Sequence, residues 1–308
     1  MILKRVVVTG ASGFVGGAVA SALANAGHQV IGLGRRAGGW AHPRGEYRRL
    51  DLTRDPLPML ADADTVIHAA ALADDWATWK AAFGANVQVT GRIVQTAPRA
   101  RLIHVSSASV YDAFTPNIDV TEAEPLPRRY PASYGATKAL AERIAAIHPN
   151  SIALRPHAVY GPGDTTLLPR VLERIRLGLL PLPAGGHVLH TVTHIDTLVA
   201  AVEASLHSTV TGPVNVGDAT PVMLGDFITE AAARLGRRAR VVNVPVEAAM
   251  AIASRAEGLA KRTGRRPALT RYAVTQVGFQ RTLSLTKLHE DLGLAPREPS
   301  LAFLRSDR

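Results

Sequence analysis

Short apolar runs alternate with longer stretches of helical periodicity through the first half of the chain. Five of these runs predict buried strands: Arg5–Val8, Gln29–Leu33, Thr65–Ala69, Leu102–Ser106 and Ile152–Arg155. Helical patterns lie between them, near Gly13–Ala26, Thr78–Ala97 and Ser133–Ile147. Strands that are apolar throughout are typical of parallel sheets covered on both faces. The alternation therefore predicts an α/β fold with a doubly wound parallel sheet.

The second half of the chain has a different pattern. Proline and glycine cluster at Gly161–Gly163 and Gly178–Gly186, and helical patterns follow near Leu224–Leu235 and Val246–Leu259. This half predicts a second, smaller and mostly helical lobe.

A glycine-rich turn, Thr9-Gly10-Ala11-Ser12-Gly13-Phe14-Val15-Gly16, joins the first predicted strand to the first helix. In this context Gly10 permits a tight turn, Gly13 lets the backbone approach a pyrophosphate, and Gly16 lets the helix pack closely on the sheet. The helix N-terminus then offers amide groups to the anion. We expect cofactor contacts from Gly10, Ser12, Gly13, Phe14, Val15 and Gly16.

The end of the second strand bears on the choice of cofactor. An acidic residue there normally binds the adenosine ribose, but this chain reads Gly34-Arg35-Arg36. Guanidinium groups bind a 2′-phosphate, which a carboxylate would repel, so Arg35 and Arg36 favour NADP over NAD. A solvated basic pair is the alternative interpretation. Further cofactor contacts are predicted at Asp51, Leu52, Ala69, Ala70 and Ala71, and we interpret His68 as structural.

Tyr134 and Lys138 stand four residues apart, on one face of the third predicted helix. An ordinary phenol has a pKa near ~10, and a neighbouring ammonium or a positive nicotinamide ring lowers it. The strand before this helix ends in Ser106-Ser107-Ala108-Ser109-Val110-Tyr111. The spacing predicts a Ser-Tyr-Lys group for proton transfer.

Together these motifs resemble the extended short-chain dehydrogenases/reductases, the NAD(P)-dependent epimerase/dehydratase family. The resemblance rests on Thr9–Gly16, His68–Ala71, Asn86–Gly91, Ser106–Tyr111, Tyr134–Lys138, Leu154–Asp164, His194–Asp196 and Val214–Asp218. It implies a Rossmann domain over 1–158 with returns near 187–217. The substrate-binding lobe would then comprise 159–186 and 218–308.

The resemblance also assigns roles. Tyr134 would be the general acid-base, Lys138 would bind the nicotinamide ribose and lower the Tyr134 pKa, and Ser107 would bond the substrate oxygen. Ser106 or Ser109 are alternatives for the serine role. Further cofactor contacts would come from Asn86, Ser106, Pro156, His157 and Val159, and substrate contacts from Ser107, Ser109, His157 and Arg170.

Departures from the family pattern bear on the reaction. Dehydratases resemble one another in an acidic pair where this chain has Ala108 and Ser109, and elimination lacks its catalysts without that pair. Epimerases carry an arginine where this chain has His190, a weaker diphosphate ligand. The segments Arg155–Arg170 and Pro267–Tyr272 are similar to the branch containing 3β-hydroxysteroid dehydrogenases and 3-keto lipid reductases.

We therefore expect an NAD(P)H-dependent oxidoreductase that interconverts a ketone and a secondary alcohol on a small or lipid/steroid-like substrate. A sugar-nucleotide epimerase using NAD is the first alternative. A non-catalytic protein that senses NADP is the second, and retention of all three catalytic residues argues against it.

Composition narrows the remaining classes. The chain has 308 residues, a formal net charge of +10 and no cysteine, which excludes disulfides and thiolate chemistry. The absence of cysteine also excludes cysteine-ligated metals, and we expect no bound metal. The basic residues are spread along the chain without a nucleic-acid-binding motif, so we expect no nucleic-acid partner. No apolar stretch has the length of a membrane span, and we expect a cytoplasmic protein.

Two associations are also predicted. Family members pair through the helices that correspond to Thr78–Ala97 and Ser133–Ile147, where Ala136, Ala139 and Ala145 permit close approach, so we expect a homodimer. The segment 246–266 is a moderately apolar helix with a basic end. It predicts peripheral contact with an anionic membrane, although a lobe helix with a solvated basic end is the favoured interpretation.

Overall fold

The computed structural model describes residues 3–304. Its strands are β1 (Arg5–Thr9), β2 (Gln29–Gly34), β3 (Gly45–Arg49), β4 (Thr65–His68), β5 (Arg101–Val105), β6 (Asn117–Val120), β7 (Ser151–Pro156), β8 (Val159–Tyr160), β9 (Leu179–Pro183), β10 (Leu189–His190), β11 (Thr193–His194), β12 (Gly212–Val216), β13 (Val222–Met223), β14 (Arg240–Val244) and β15 (Arg281–Leu283).

The helices are α1 (Phe14–Asn25), α2 (Trp79–Ala82), α3 (Val89–Thr96), α4 (Ser133–Ala145), α5 (Leu168–Leu172), α6 (Ile195–His207), α7 (Leu224–Arg234), α8 (Val246–Thr263), α9 (Arg271–Gly278) and α10 (Thr286–Glu290). A π-helical segment, Phe83–Gln88, joins α2 to α3, so these three pieces form one continuous helix over the predicted Thr78–Ala97.

A seven-stranded parallel sheet forms the centre, in the order β3-β2-β1-β4-β5-β7-β12. The predicted α/β fold with a doubly wound parallel sheet is confirmed, and each of the five predicted strands matches an observed one to within a residue at either end. Successive residues of β1 point to opposite faces: Val6 and Val8 pack with α1 and α6, whereas Val7 packs with α3 and the end of α4. Both faces are apolar because both are covered.

The lobe contains more strand than its sequence predicts. A four-stranded sheet (β13-β10-β15-β6) and two strand pairs (β8 with β11, β9 with β14) accompany helices α5 and α7–α10. All of these strands are two to five residues long, too short for a clear apolar pattern. Three of them, β6, β10 and β11, come from segments predicted to belong to the Rossmann domain. β12 and its preceding helix α6 return to the central sheet, where Val214 pairs with Leu154 of β7.

Helices α4 and α8, which were predicted to carry association surfaces, each bury part of their alanine side chains. Ala139 and Ala145 of α4 are buried inside the subunit, so their small side chains serve internal packing rather than an outer face. In α8, Ala249 and Ala253 pack inward, while Ile252 and Leu259 are exposed. None of the helices in residues 3–304 is long and apolar enough to cross a membrane.

Candidate active site

The order of the central sheet reverses beside β1, and the carboxyl ends of β1 and β4 form the crevice where α/β sheets bind ligands. Gly10 follows β1 with a φ of +76°, and a Cβ there would lie 2.8 Å from the Ala70 amide nitrogen. The same amide donates to the Thr9 hydroxyl over 3.2 Å. The two strand ends are therefore in direct contact, and only glycine fits at position 10.

The start of α1 has the form expected of an anion cradle. The Gly13 amide donates to the Gly10 carbonyl over 2.8 Å, and a Cβ on Gly16 would lie 2.3 Å from that carbonyl oxygen. The first amide groups of a helix have no intrahelical acceptor, and Phe14–Gly16 adds no acid to repel an anion. These residues fit the pyrophosphate of a dinucleotide cofactor.

At the end of β2, Gly34 stands where the family pattern usually has an acidic side chain. A Cβ on Gly34 would lie 2.7 Å from both the Ser12 hydroxyl and the Tyr47 hydroxyl. Beyond it, the side chains of Arg35 and Arg36 are exposed, and Tyr47 donates to the Arg36 carbonyl over 2.6 Å. This edge of the crevice therefore presents cations instead of a carboxylate.

Asp51 and Leu52 lie near this basic edge but make mostly local contacts. The Asp51 carboxylate accepts from the amide and hydroxyl of Thr53, at 2.9 and 2.7 Å. These hydrogen bonds, helped by the nearby Arg35 charge, lower the Asp51 pKa. Leu52 is buried, and its carbonyl accepts from Arg92.

Lys138 is buried one turn after Tyr134 on α4. Its ammonium donates to the Val105 carbonyl over 2.6 Å and lies 3.4 Å from Nε2 of His104. Burial lowers the Lys138 pKa to about 8, while the Glu142 carboxylate acts in the opposite direction. The same burial and the Lys138 charge hold the His104 pKa well below its usual value, so His104 is a neutral acceptor.

A buried ion pair between Arg155 and Glu142 lies one turn of α4 after Lys138. Arg155 of β7 binds the Glu142 carboxylate with two guanidinium nitrogens and donates to the Tyr111 hydroxyl over 2.8 Å. Ser106, which we predicted to contact the cofactor, donates its hydroxyl to Glu142 over 2.7 Å. Its side chain therefore belongs to this buried network.

Three hydroxyl groups meet beside Tyr134. The hydroxyl oxygens of Ser107 and Ser109 are 3.1 Å apart, and that of Ser109 is 2.9 Å from the Tyr272 hydroxyl. The ring of Tyr272 stands edge-on to that of Tyr134, with centroids 6.3 Å apart. The structure thus brings together Ser107, Ser109, Tyr134 and a tyrosine from the lobe.

Burial raises the Tyr134 pKa, against the opposing effect of the Ser107 hydroxyl. We expected Lys138 to lower this pKa, but in the protein alone its ammonium is turned toward Val105 and His104. Tyr134 therefore stays protonated at neutral pH and is prepared to donate a proton.

His157 follows β7 and turns its imidazole into the lobe. Its Nε2 lies 3.3 Å from Nδ1 of His190, and both rings are buried. Burial lowers the pKa of His190 to about 4 and that of His157 well below its usual value, so both are neutral. His157 also lines a small cavity of about 10 Å³ with Ser109 and Arg281, room for about one water molecule. Pro156 and Val159 lie at the adjoining strand ends.

Of the other residues considered from the sequence, Asn86 and His68 form buried hydrogen bonds and Arg170 is exposed. Asn86, in the π-helical segment, accepts from the Leu72 amide over 2.7 Å and donates to the Thr137 hydroxyl over 2.9 Å, which ties the loop after β4 to α4. His68 is buried between the hydroxyls of Thr9 and Thr90. Arg170 is exposed on α5.

Tyr272 and the contacts that place it were not predicted. Arg266 pairs with both Asp74 and Asp75 of the loop after β4, each at 2.8 Å. Thr270 donates its hydroxyl to Asp75. The segment Pro267–Tyr272 resembles one branch of the family, but nothing in its local sequence pattern predicts that it lies against the catalytic residues.

Comparisons with known proteins agree with this geometry. Residues 6–217 match the NAD dependent epimerase/dehydratase family. The chain is 33% identical to a 4-hydroxy-2-methyl-3-oxo-4-farnesyl-3,4-dihydroquinoline-1-oxide ketoreductase from Stigmatella aurantiaca, over 95% of this chain and 92% of that protein. It is 29% identical to a 2-alkyl-3-oxoalkanoate reductase from Stenotrophomonas maltophilia, over 95% of each chain.

The relatives also include 3-beta-hydroxysteroid dehydrogenases, which confirms the predicted branch. Among solved structures, the fold is similar to that of a UDP-N-acetylglucosamine 4-epimerase from Methanobrevibacter ruminantium M1. The TM-score is 0.76 at 20% identity, covering 97% of this chain and 94% of that one. At this identity the similarity concerns the fold alone.

Proposed function

The chain belongs to the NAD dependent epimerase/dehydratase family, and we propose that it is an NADPH-dependent ketoreductase acting on an apolar ketone. The observation that carries the proposal is the group of hydroxyls from Ser107, Ser109 and Tyr134 beside the glycine-rich crevice. An oxygen that becomes anionic during reduction requires donors that already point toward it.

The reaction divides between cofactor and protein. When bound, the reduced nicotinamide supplies the hydride that adds to the carbonyl carbon. Ser107 holds the carbonyl oxygen, and Tyr134 donates its phenolic proton to that oxygen as negative charge develops there. Because burial raises the Tyr134 pKa, its proton is in place at neutral pH. Lys138, whose ammonium bonds the Val105 carbonyl in the protein alone, would bind the nicotinamide ribose when the cofactor is present.

The substrate class follows from the relatives. Their names describe ketones that carry an alkyl or a farnesyl group close to the carbonyl. We propose that this chain likewise reduces a 3-oxoacyl compound or cyclic ketone with an apolar substituent, which the Leu- and Val-rich lobe would enclose.

A sugar-nucleotide epimerase is the competing function. That reaction needs a cation for the substrate diphosphate, and the family's arginine position is His190 in this chain. The His190 ring is buried against His157, and burial lowers its pKa to about 4, so it carries no charge at neutral pH. This favours the ketoreductase. The exposed Arg35 and Arg36 beyond Gly34 support NADPH as its cofactor.

The test is oxidation of NADPH by the purified protein with a panel of 2-alkyl-3-oxoalkanoate esters, steroid ketones and UDP-sugars. We expect NADPH consumption with a ketone, and deuterium from labelled NADPH on the released alcohol in equal amount. Interconversion of UDP-sugars without net cofactor turnover, and no reduction of any ketone, would show an epimerase instead.

Tyr134→Phe is the control for the proton donor. The variant keeps the ring but loses the acid, so turnover should fall by roughly 10²–10⁴-fold while NADPH still binds. Full activity of this variant on the same ketone would remove Tyr134 from the mechanism.

A further inference from the structure

The turn between α5 and β9 holds a leucine in a strained and fully exposed position. Arg176 and Leu179 exchange two backbone hydrogen bonds, of 2.9 Å from the Arg176 amide and 2.8 Å from the Leu179 amide. Leu177 and Gly178 between them have φ angles of +51° and +74°, the combination of a type I′ turn. The Leu177 side chain is 102% exposed, so it packs against nothing within residues 3–304.

Leucine is an unexpected residue at this position. Type I′ turns favour Asn-Gly, because asparagine tolerates the left-handed backbone conformation, which is unfavourable for leucine. Full exposure of an apolar side chain to water is unfavourable as well. Leu177 combines both features and makes no contact in the described fold that offsets them, which indicates a role outside the fold.

The apolar surface continues from Leu177 along the outer face of the β9–β14 pair. Leu179 of β9 is 45% exposed and Val242 of β14 is 39% exposed. Pro181, which pairs with Val242, is exposed on the same face. The alternate residues of β9 point the other way and pack into the lobe core. One face of this strand pair therefore extends the apolar tip into a strip.

Exposed arginines surround this strip, namely Arg174, Arg176, Arg237, Arg238 and Arg240. The Arg240 amide donates to the Gly178 carbonyl over 2.8 Å, so the segment before β14 lies directly beside the turn. Arg234 nearby pairs with Glu230, but within residues 3–304 none of the five guanidinium groups pairs with a carboxylate. Glu173 is the only acid in segments 173–179 and 235–244. The surface is therefore strongly cationic around an apolar tip.

We propose that this surface, the Leu177 turn with its five arginines, docks the protein on an anionic lipid bilayer. An apolar tip can enter the acyl region while the guanidinium groups behind it bind the phosphates of the headgroups. Nucleic acid also attracts arginines, but its phosphates would leave Leu177 and Leu179 in water. The proposal concerns this surface alone and does not depend on which reaction the enzyme performs.

Co-sedimentation of the whole protein with vesicles tests the docking. The anionic vesicles contain equal parts of phosphatidylglycerol and phosphatidylcholine, and the neutral ones contain phosphatidylcholine alone, at about 0.1 M salt. We expect binding to the anionic vesicles that weakens as salt rises, and binding to the neutral vesicles that is weaker by about tenfold or more. Equal binding to both kinds of vesicle, or binding to neither, overturns the proposal.

Leu177→Asn separates docking from folding. Asn-Gly suits a type I′ turn, so we expect the variant to unfold at the same temperature as the wild type or at a higher one. Because the apolar tip is lost, its dissociation constant for anionic vesicles should rise about tenfold. Unchanged vesicle binding overturns the proposal. A lower unfolding temperature does so too, since it would show that Leu177 serves packing within the fold.

Arg237→Ala combined with Arg238→Ala tests the charge. Each basic residue close to an anionic surface strengthens binding about fivefold, so the double variant should weaken vesicle binding about 25-fold. Lys261→Ala combined with Arg262→Ala is the matched control. It removes the same charge from the exposed C-terminal end of α8, which the ion pair of Arg266 with Asp74 holds beside the sheet domain.

Leu259→Gln is the matched control for the apolar tip, because Leu259 is an exposed leucine of α8. Both α8 controls should bind vesicles as the wild type does, and equal losses in them and in the turn variants overturn the proposal. Duplex DNA and a second copy of this chain are the other partners to test. Tight DNA binding without vesicle binding overturns the proposal. So does a dimer that Leu177→Asn dissociates while vesicle binding persists.

Discussion

Replacing Arg35 and Arg36 with alanine should convert the cofactor preference. Both side chains are exposed just beyond Gly34, where this chain has no carboxylate. A charge-assisted hydrogen bond contributes about 1.5–3 kcal/mol, so each arginine that grips a 2′-phosphate is worth roughly a 10- to 150-fold change in affinity. The double variant should thus raise the NADPH dissociation constant by about 10²–10⁴-fold. NADH lacks this phosphate, so its constant should change by less than about threefold.

The assay is a fluorescence titration with NADPH and with NADH at two salt concentrations, because exposed ionic contacts weaken as salt rises. Arg44→Ala is the matched control. Arg44 is also exposed but precedes β3 at the amino end of the sheet, since Gly45 pairs with Val30 and Arg49 with Gly34. It removes the same charge far from the crevice and should affect neither cofactor. Equal losses of NADPH and NADH affinity in the double variant would refute the phosphate interpretation.

Three further outcomes are expected. Gly236→Ala should cost about 1–2 kcal/mol of folding free energy, because it places a side chain at φ +70° in open space. Gly10→Ala should cost more and should abolish cofactor binding, because its Cβ also meets Ala70. Urea unfolding measures the stability of each variant, and titration with NADPH measures its cofactor binding. Burial lowers the Lys138 pKa to about 8, below that of an unfolded lysine, so the folded protein binds fewer protons between the two values. Its free energy of unfolding should therefore rise with pH in that window, and Lys138→Met should remove the rise in urea titrations. The protein should form a homodimer through the outer faces of the helices over 79–96 and 133–145, and a monomer mass in light scattering at micromolar concentration would contradict this.

The parts of the fold that the sequence predicts are those with local causes. The Val6–Val8 run is apolar because β1 is covered on both faces, and the glycines at 10, 13 and 16 are required by contacts within one strand-turn-helix unit. The four-residue spacing of Tyr134 and Lys138 is likewise set by a single helix. Each of these features depends on a few neighbouring residues, so the local sequence predicts it without knowledge of the rest of the chain.

The parts that it does not predict depend on distant segments. β3 carries Glu46, Arg48 and Arg49 and lacks an apolar pattern, because it is the edge strand and pairs only with β2. Tyr272 contacts Ser109 although the two residues are 163 positions apart in the sequence. The ion pairs of Arg266 with Asp74 and Asp75 hold the neighbouring segment in place. The hydrophobic periodicity of the sequence does not predict such a contact, because the contact forms only when the lobe packs against the sheet domain.

Tyr134 and Lys138 do not determine which reaction this chain catalyses; the residues at positions 109 and 190 bear on that choice. Tyr134 and Lys138 suit a reductase and an epimerase equally, since both must move a proton on and off one oxygen. Position 109 differs: an acid there would serve elimination, but Ser109 has no such capacity and instead accepts a hydrogen bond from the Ser107 hydroxyl and bonds the Tyr272 hydroxyl. Position 190 differs as well, because a buried neutral histidine paired with His157 offers no charge to a diphosphate. Both departures support the ketoreductase that we propose over a sugar-nucleotide enzyme, because reduction of an uncharged ketone requires hydroxyl donors around one carbonyl oxygen and no cation for a diphosphate.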